Sequence, residues 1–162
     1  MLQFFRDLLG AEADQSALAQ TAPTELATVM IELLVEAAKA DGGLAEEEQQ
    51  LISQIMAHHF EISADEIAPL FDEALQAAQE RVDLHSLTRR LRALTDYEER
   101  LAMLELVWLV VLADDHLDHL EASTMRRLAG LLYIEDVDAG KAAKAARALI
   151  ADGAYSKSSS DA

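Results

Sequence analysis

The chain has 162 residues and a formal net charge of −17, from 30 Asp and Glu against 13 Lys and Arg. This length suffices for one domain with a substantial core, and the absence of cysteine excludes disulfides, thiolate metal sites and a cysteine nucleophile. The charge argues against nucleic acid as a partner, because phosphates are repelled by an acidic surface, and favours a cation or a cationic partner. The charge is also uneven, since residues 1–80 carry 16 acidic and 2 basic residues, whereas residues 81–162 carry 14 and 11.

The spacing of apolar residues predicts an all-α fold. Only two prolines and six glycines interrupt the chain, and apolar residues recur every three or four positions. We predict seven to eight helices near residues 2–9, 24–40, 45–60, 64–80, 84–94, 96–113, 119–132 and 138–151.

Three regions are predicted along the chain. Residues 1–23 form an amphipathic segment and a linker, residues 24–151 the helical domain, and residues 152–162 a disordered tail. The first ten residues lack a signal-peptide pattern and are too short to span a bilayer, so we expect a cytoplasmic protein that does not span the membrane.

Three joints carry the pattern of a capping box, in which an N-cap side chain and a Glu three residues later bind backbone N–H groups at the start of a helix. These are the pairs Ser63–Glu66, Thr95–Glu98 and Asp118–Glu121. At the first joint, Ile62 and Ile67 are also spaced as a hydrophobic staple.

An internal repeat relates residues 30–48 to residues 103–121 at an offset of 73. It places Asp41 on Asp114, Glu48 on Glu121, and Glu32 on Glu105. We predict a duplicated helix–loop–helix, with the two copies packed about a pseudo-two-fold axis.

The two loops of this repeat present a candidate cation site. If they meet, the carboxylates of Asp41, Glu48, Asp114 and Glu121 repel one another unless they are protonated or bridged by a cation. Their all-oxygen chemistry favours Ca²⁺ or Mg²⁺. A structural alternative stays open, because Glu121 fits a capping box and an Asp after a helix often makes a local turn.

The joint "AKADGGLAEEEQQLI" (38–52) and its second copy "VLADDHLDHLEASTM" (111–125) resemble the TerB-like family, the all-helical domain of bacterial tellurite-resistance proteins. The resemblance covers roughly residues 24–151. The second copy departs from the first, with Asp115 and His116 where the first has Gly42 and Gly43. In that family the paired acidic motifs are regarded as a metal-chelating centre, so the resemblance implies the same four ligands.

Other polar groups have simpler explanations. His116 and His119 are spaced as a weak zinc motif, although the predicted N-cap Asp118 lies between them, and solvated side chains are the simpler alternative. His58 and His59 fit a helix end, where they complement its dipole or fill a boundary.

Two further groups concern the core and the charge balance. Glu32 and Glu105 are expected on an exposed helix stripe; if they are buried instead, each needs an arginine partner. The run "RRLR" (89–92) is expected to bind the acidic half of the same chain or an acidic partner, and Trp108, Val110 and Val111 are expected in the core.

The sequence therefore favours a non-enzymatic, divalent-cation-binding interaction module with a protein partner, in a bacterial stress or tellurite response. It carries no phosphate loop, nucleophile elbow or H-E-x-x-H motif. A metal-free helical scaffold for protein partners is the alternative, and a metal-dependent hydrolase is a weaker one.

Overall fold

The structure is a computed structural model that describes residues 22–38, 46–80, 83–113 and 119–153, without the side chains of residues 22–24, 64 and 119–121. These residues form seven helices and no strand, which confirms the predicted all-α fold. The predicted helix at 2–9 lies outside the described residues, as does most of the predicted tail. The helices are α1 (Ala22–Ala38), α2 (Glu46–Phe60), α3 (Ala64–Glu80), α4 (His85–Leu94), α5 (Tyr97–Leu112), α6 (His119–Leu131) and α7 (Asp136–Ala151).

Helices α1 and α5 form the centre of the core. Every residue of α5 from Ala102 to Val111 is buried except Trp108, which is half-buried against the edge of the core. A helix that is apolar all round needs neighbours on every side, and α5 packs against α1, α2, α6 and α7. Helix α1 packs against α2, α3, α4 and α5. The predicted core positions Val110 and Val111 are confirmed.

The predicted capping box at the start of α3 is present. Ser63 N donates to Glu66 Oε2 at 3.0 Å, and Glu66 N donates to Ser63 Oγ at 3.3 Å. Ile67 is buried and Ile62 packs against the core, as the staple pattern predicts.

The predicted cap at the start of α5 is wrong by one residue. The N-cap is Asp96, whose Oδ1 accepts a hydrogen bond from Glu99 N at 2.9 Å. Thr95 instead ends α4 in an extended conformation, and its hydroxyl donates to the Leu91 carbonyl. A Thr that binds back to the preceding helix has no oxygen directed at the next one, so Asp96 takes that role. The third predicted cap, Asp118 with Glu121, lies outside the described side chains.

Helix α6 ends in a Schellman motif, in which Ile134 N donates to Ala129 O and Tyr133 N donates to Gly130 O. Tyr133 occupies the left-handed position of this motif, with a φ of 57°. Glycine usually takes this position because it has no Cβ to clash with the backbone. The motif therefore ends α6 at the expense of local strain.

The helices form two three-helix units, α1–α3 and α5–α7, joined by α4. In each unit all three helices pack against one another, and the first and third helices share the most extensive contact. The two units thus share an order of packing, whereas the duplication and the two-fold axis remain predictions. None of the described helices is long and apolar enough to cross a membrane.

Candidate cation site and the charged groups around it

The structure describes only part of the predicted cation site. Glu48 is the third residue of α2, where its side chain is half-buried. Glu121 is the third residue of α6, and its side chain lies outside the described set. Asp41 and Asp114 also lie outside the described residues. Glu48 and Glu121 therefore have the same position relative to the start of their helices, and the approach of the four carboxylates to one another stays a prediction.

The first turn of α2 is densely acidic. Glu46, Glu47 and Glu48 follow one another there, with Glu46 and Glu47 exposed. Acidic side chains at a helix N-terminus interact favourably with the helix dipole, which explains the presence of the run but not the greater burial of its third member. Within the described residues, no three His, Asp or Glu side chains lie close enough to hold a metal ion. A cation site at α2 would therefore need ligands from outside the described residues.

Glu32 and Glu105 are buried, so their prediction on an exposed stripe is wrong. Their exposed fractions are 8% and 6%. Helix α1 packs against four other helices, and α5 is surrounded by its neighbours. Neither helix therefore has a solvent-exposed face at these positions. Glu32 has the kind of partner expected for a buried acid, because Arg90 Nη1 of α4 lies 3.5 Å from Glu32 Oε2.

Glu105 differs from Glu32 in its electrostatic surroundings. It has no ion pair within the described part of the chain, and burial raises the pKa of its carboxyl to about 7. Desolvation disfavours the charged form of an acid that lacks a compensating positive charge. A substantial fraction of Glu105 is thus protonated near neutral pH.

His59 is buried in the last turn of α2, whereas the neighbouring His58 is exposed. Burial, reinforced by the charge of His58, lowers the pKa of His59 to about 4. The His59 imidazole is therefore neutral at pH 7 and fills the core boundary. Of the two roles expected for the histidines, His59 therefore has that of filling a boundary. A neutral ring adds no charge that could complement the helix dipole.

The arginine run of α4 has three different surroundings. Arg90 binds Glu32, as the prediction of an acidic partner within the chain requires. Arg92 Nη1 donates to the Leu131 carbonyl at the end of α6, and its guanidinium lies 4.0 Å from the centroid of the Tyr133 ring. Arg89 is exposed. The Arg92–Tyr133 contact was not predicted, because 41 residues separate its partners and no local pattern relates them.

The hydroxyl of Tyr97 joins α5 to α7. It donates to Asp138 Oδ2 at 2.6 Å and accepts from Glu135 N at 3.2 Å. The bond to Asp138 raises the pKa of the Tyr97 phenol. Tyr97 thus satisfies a backbone N–H at the start of α7, where Glu135 provides no side-chain cap of its own.

Comparison with known proteins identifies one family. Its sequence model, described as Tellurite resistance protein TerB, matches residues 27–145, which is most of the chain. No curated protein and no solved structure matches. The match begins within α1, ends within α7 and contains all five helices between them. The chain therefore belongs to the TerB family of tellurite resistance proteins.

Proposed function

We propose that the protein is a non-enzymatic, cytoplasmic interaction module of the TerB family that binds a divalent cation through Asp41, Glu48, Asp114 and Glu121. The biological setting suggested by the family is tellurite resistance or a related metal stress response. The proposal rests on one observation: Glu48 and Glu121 are each the third residue of a helix, and each follows an Asp by seven positions in the sequence.

The chemistry of these residues fits a hard cation. All four side chains are carboxylates, and hard divalent ions such as Ca²⁺ and Mg²⁺ prefer oxygen ligands. Glu48 is less exposed than Glu46 and Glu47, so its charge is the most costly of the three to leave without a positive counterpart. When bound, the cation would neutralise these charges and hold the two loops together.

This cation has a structural role in the proposal. Two loops that carry like charges repel each other without a cation and are linked when one is present, so binding stabilises the folded chain by mass action. The α1–α2 and α5–α6 joints would then form one surface whose arrangement depends on the cation. Such a surface suits the recognition of a partner protein.

Isothermal titration calorimetry with CaCl₂ and MgCl₂ on the full chain tests the proposal. We expect heat of binding and a rise in the thermal midpoint that a chelator reverses. Asp41→Ala and Asp114→Ala should each abolish both effects. The absence of heat and of any midpoint change with either ion would contradict the proposal.

Glu48→Gln and Glu46→Gln form a matched pair that separates cation binding from the helix dipole. Both remove one carboxylate from the first turn of α2, so each should cost about 0.3–1 kcal/mol of stability in chelator. Only Glu48→Gln should lose the stabilisation by cation. Equal cation responses in the two variants would show that the acidic run interacts with the helix dipole and binds no cation.

The metal-free scaffold remains the second candidate. It is favoured by an exposed Tyr133 beside Arg92, a combination found at protein interfaces. Association with a partner that is unchanged by chelator would support this candidate over the first.

A further inference from the structure

Four arginines on α4 and α6 have no carboxylate partner among the described residues. None of Arg89, Arg92, Arg126 and Arg127 forms an ion pair there, although the chain contains 30 acidic residues. Arg89, Arg126 and Arg127 are exposed. By contrast, α1, α2 and α3 contain no Lys or Arg at all. The positive charge of the domain is therefore concentrated away from its acidic unit.

The packing of α4 on α6 brings three of these arginines, Arg89, Arg92 and Arg127, to one side of the domain. Arg92 Nη1 lies 3.0 Å from the Leu131 carbonyl, which joins the two helices at that point. Side chains three or four residues apart lie on one helix face. Arg89 therefore shares the face of Arg92, and Arg127 shares the face of Leu131. We refer to Arg89, Arg92, Arg127 and Tyr133 as the arginine edge.

Few acidic groups oppose this charge. Helix α4 contains none, and the single acid of α6, Glu121, lies six residues before Arg127, about 9 Å along the helix. Glu135 and Asp136 are exposed just after Tyr133, and they limit the positive surface on the side of α7. The arginine edge is thus a bounded cationic strip on an acidic protein.

Tyr133 gives this strip an apolar anchor. It is 68% exposed, and Arg92 covers one face of its ring. Val137, the other large exposed apolar residue among those described, follows four positions later. A bulky residue at positive φ is uncommon, and such strain persists mainly where the side chain has a role. Tyr and Arg are also the residues most often found at the energetic centre of interfaces.

We propose that the arginine edge is a docking site for an acidic segment of a partner protein, with an apolar residue of that segment on Tyr133. A short segment brings only a few carboxylates, whereas nucleic acid or a second copy of net charge −17 would meet strong long-range repulsion from the acidic remainder of the domain. This inference rests on the interaction role proposed above, but it does not require a bound cation.

Fluorescence anisotropy with two labelled peptides tests this site on the full chain. One 12-residue peptide carries Glu residues around a central Leu-Phe pair, and the other carries Gln at the same places. We expect the Glu peptide to bind at least about tenfold more tightly, and Arg89→Glu with Arg127→Glu to remove at least about tenfold of its affinity. Binding should be the same in chelator and in CaCl₂, so a failure of cation binding leaves this result intact.

Two control variants separate the site from general charge and from folding. Lys141→Glu with Lys144→Glu makes the same change of net charge on exposed positions of α7 and should leave most of the affinity. Tyr133→Gly removes the anchor and relieves the positive φ, so it should weaken binding about tenfold in a folded protein. Glu61→Gly relieves the φ of 53° at the end of α2 and should leave binding unchanged.

Three results would overturn the proposal. The first is equal affinity for the Glu and Gln peptides. The second is an equal loss of affinity in the arginine and lysine variants. The third is a dimer, seen by sedimentation of the protein alone, that dissociates in the Arg89→Glu, Arg127→Glu variant, because the edge would then be occupied by a second copy.

Discussion

Helices α1–α3 and α5–α7 follow the same order of packing but use different means to stabilise it. The first unit caps α3 with residues next to the helix, Ser63 and Glu66, whereas the second unit fixes the start of α7 with Tyr97 from α5. The first unit pairs its buried Glu32 with Arg90, whereas no ion pair is present at Glu105 among the described residues. A shared arrangement of helices thus leaves caps and buried charges free to differ.

The largest effects are expected from the core, where the two units should be interdependent. Leu33 and Leu106 occupy matching positions in the predicted repeat, and both are fully buried in one continuous cluster. We expect Leu33→Ala and Leu106→Ala each to lower the unfolding free energy by about 2–5 kcal/mol, through lost burial and a cavity. Urea titrations followed by circular dichroism measure this loss.

Trp108 tests whether the two units unfold together. It is the only tryptophan and lies in α5, so its fluorescence reports on the second unit, whereas circular dichroism reports on all helices. If the two units share one core, Leu33→Ala should shift the midpoints of both signals to the same lower urea concentration. A dichroism midpoint that moves while the Trp108 midpoint stays would divide the domain into two independent units.

A smaller effect is expected at the buried acids. Glu105 has a pKa of about 7 in the folded protein, above the value of about 4.3 for an unfolded chain. At a pH between these two pKa values, the Glu105 carboxyl is protonated in the folded state and ionised in the unfolded state. The contribution of Glu105 to stability is thus complete below about pH 4.3 and is lost as the pH rises through 7.

Glu105→Gln should remove this dependence on pH. We expect the variant to match the wild type near pH 5 and to exceed it by about 1–2 kcal/mol at pH 8, with allowance for partial solvent access. Glu32→Gln is the comparison, because it loses the contact with Arg90 and should not gain stability at pH 8. Thermal midpoints across this pH range give both differences. A constant gap between Glu105→Gln and the wild type would contradict desolvation as the cause.

The helix order was predictable because periodicity and local capping are properties of neighbouring residues. Ser63 and Glu66 lie three positions apart, so their reciprocal bonds follow from the sequence alone. Thr95 and Glu98 show the same spacing, yet Asp96 takes the cap because Thr95 binds the preceding helix. The angle between α4 and α5 decides which of these two adjacent residues caps α5. The local sequence pattern does not contain that angle.

The electrostatic surroundings were less predictable because they depend on distant helices. The burial of Glu32 and Glu105 follows from the number of helices around α1 and α5, and apolar periodicity does not fix that number. The match of Glu48 with Glu121 was visible as an internal repeat, and the structure gives both the same place in a helix. Asp41 and Asp114 lie outside the described residues, so their place in the site stays a prediction.

The smallest effects are expected at the starts of α3 and α7. Ser63→Ala removes a local cap and should cost about 1 kcal/mol. Tyr97→Phe removes only a hydroxyl, and Glu135, whose N–H it binds, is exposed to water, so we expect a smaller loss than in Ser63→Ala. The two losses should also differ in place, because one cap belongs to its own helix and the other comes from α5.

Amide hydrogen exchange locates each loss. Ser63→Ala should speed exchange at Glu66 modestly, because its N–H loses the Ser63 Oγ but keeps the Ser63 carbonyl as an acceptor, and should leave Glu135 unchanged. Tyr97→Phe should do the reverse, since the Glu135 N–H loses its acceptor. Asp138 would then be able to turn back towards that N–H, as Glu66 does at the start of α3. Unchanged exchange at Glu135 in Tyr97→Phe would show that Asp138 replaces the hydroxyl. The start of α7 would then not need Tyr97, because a side chain of α7 itself can cap it.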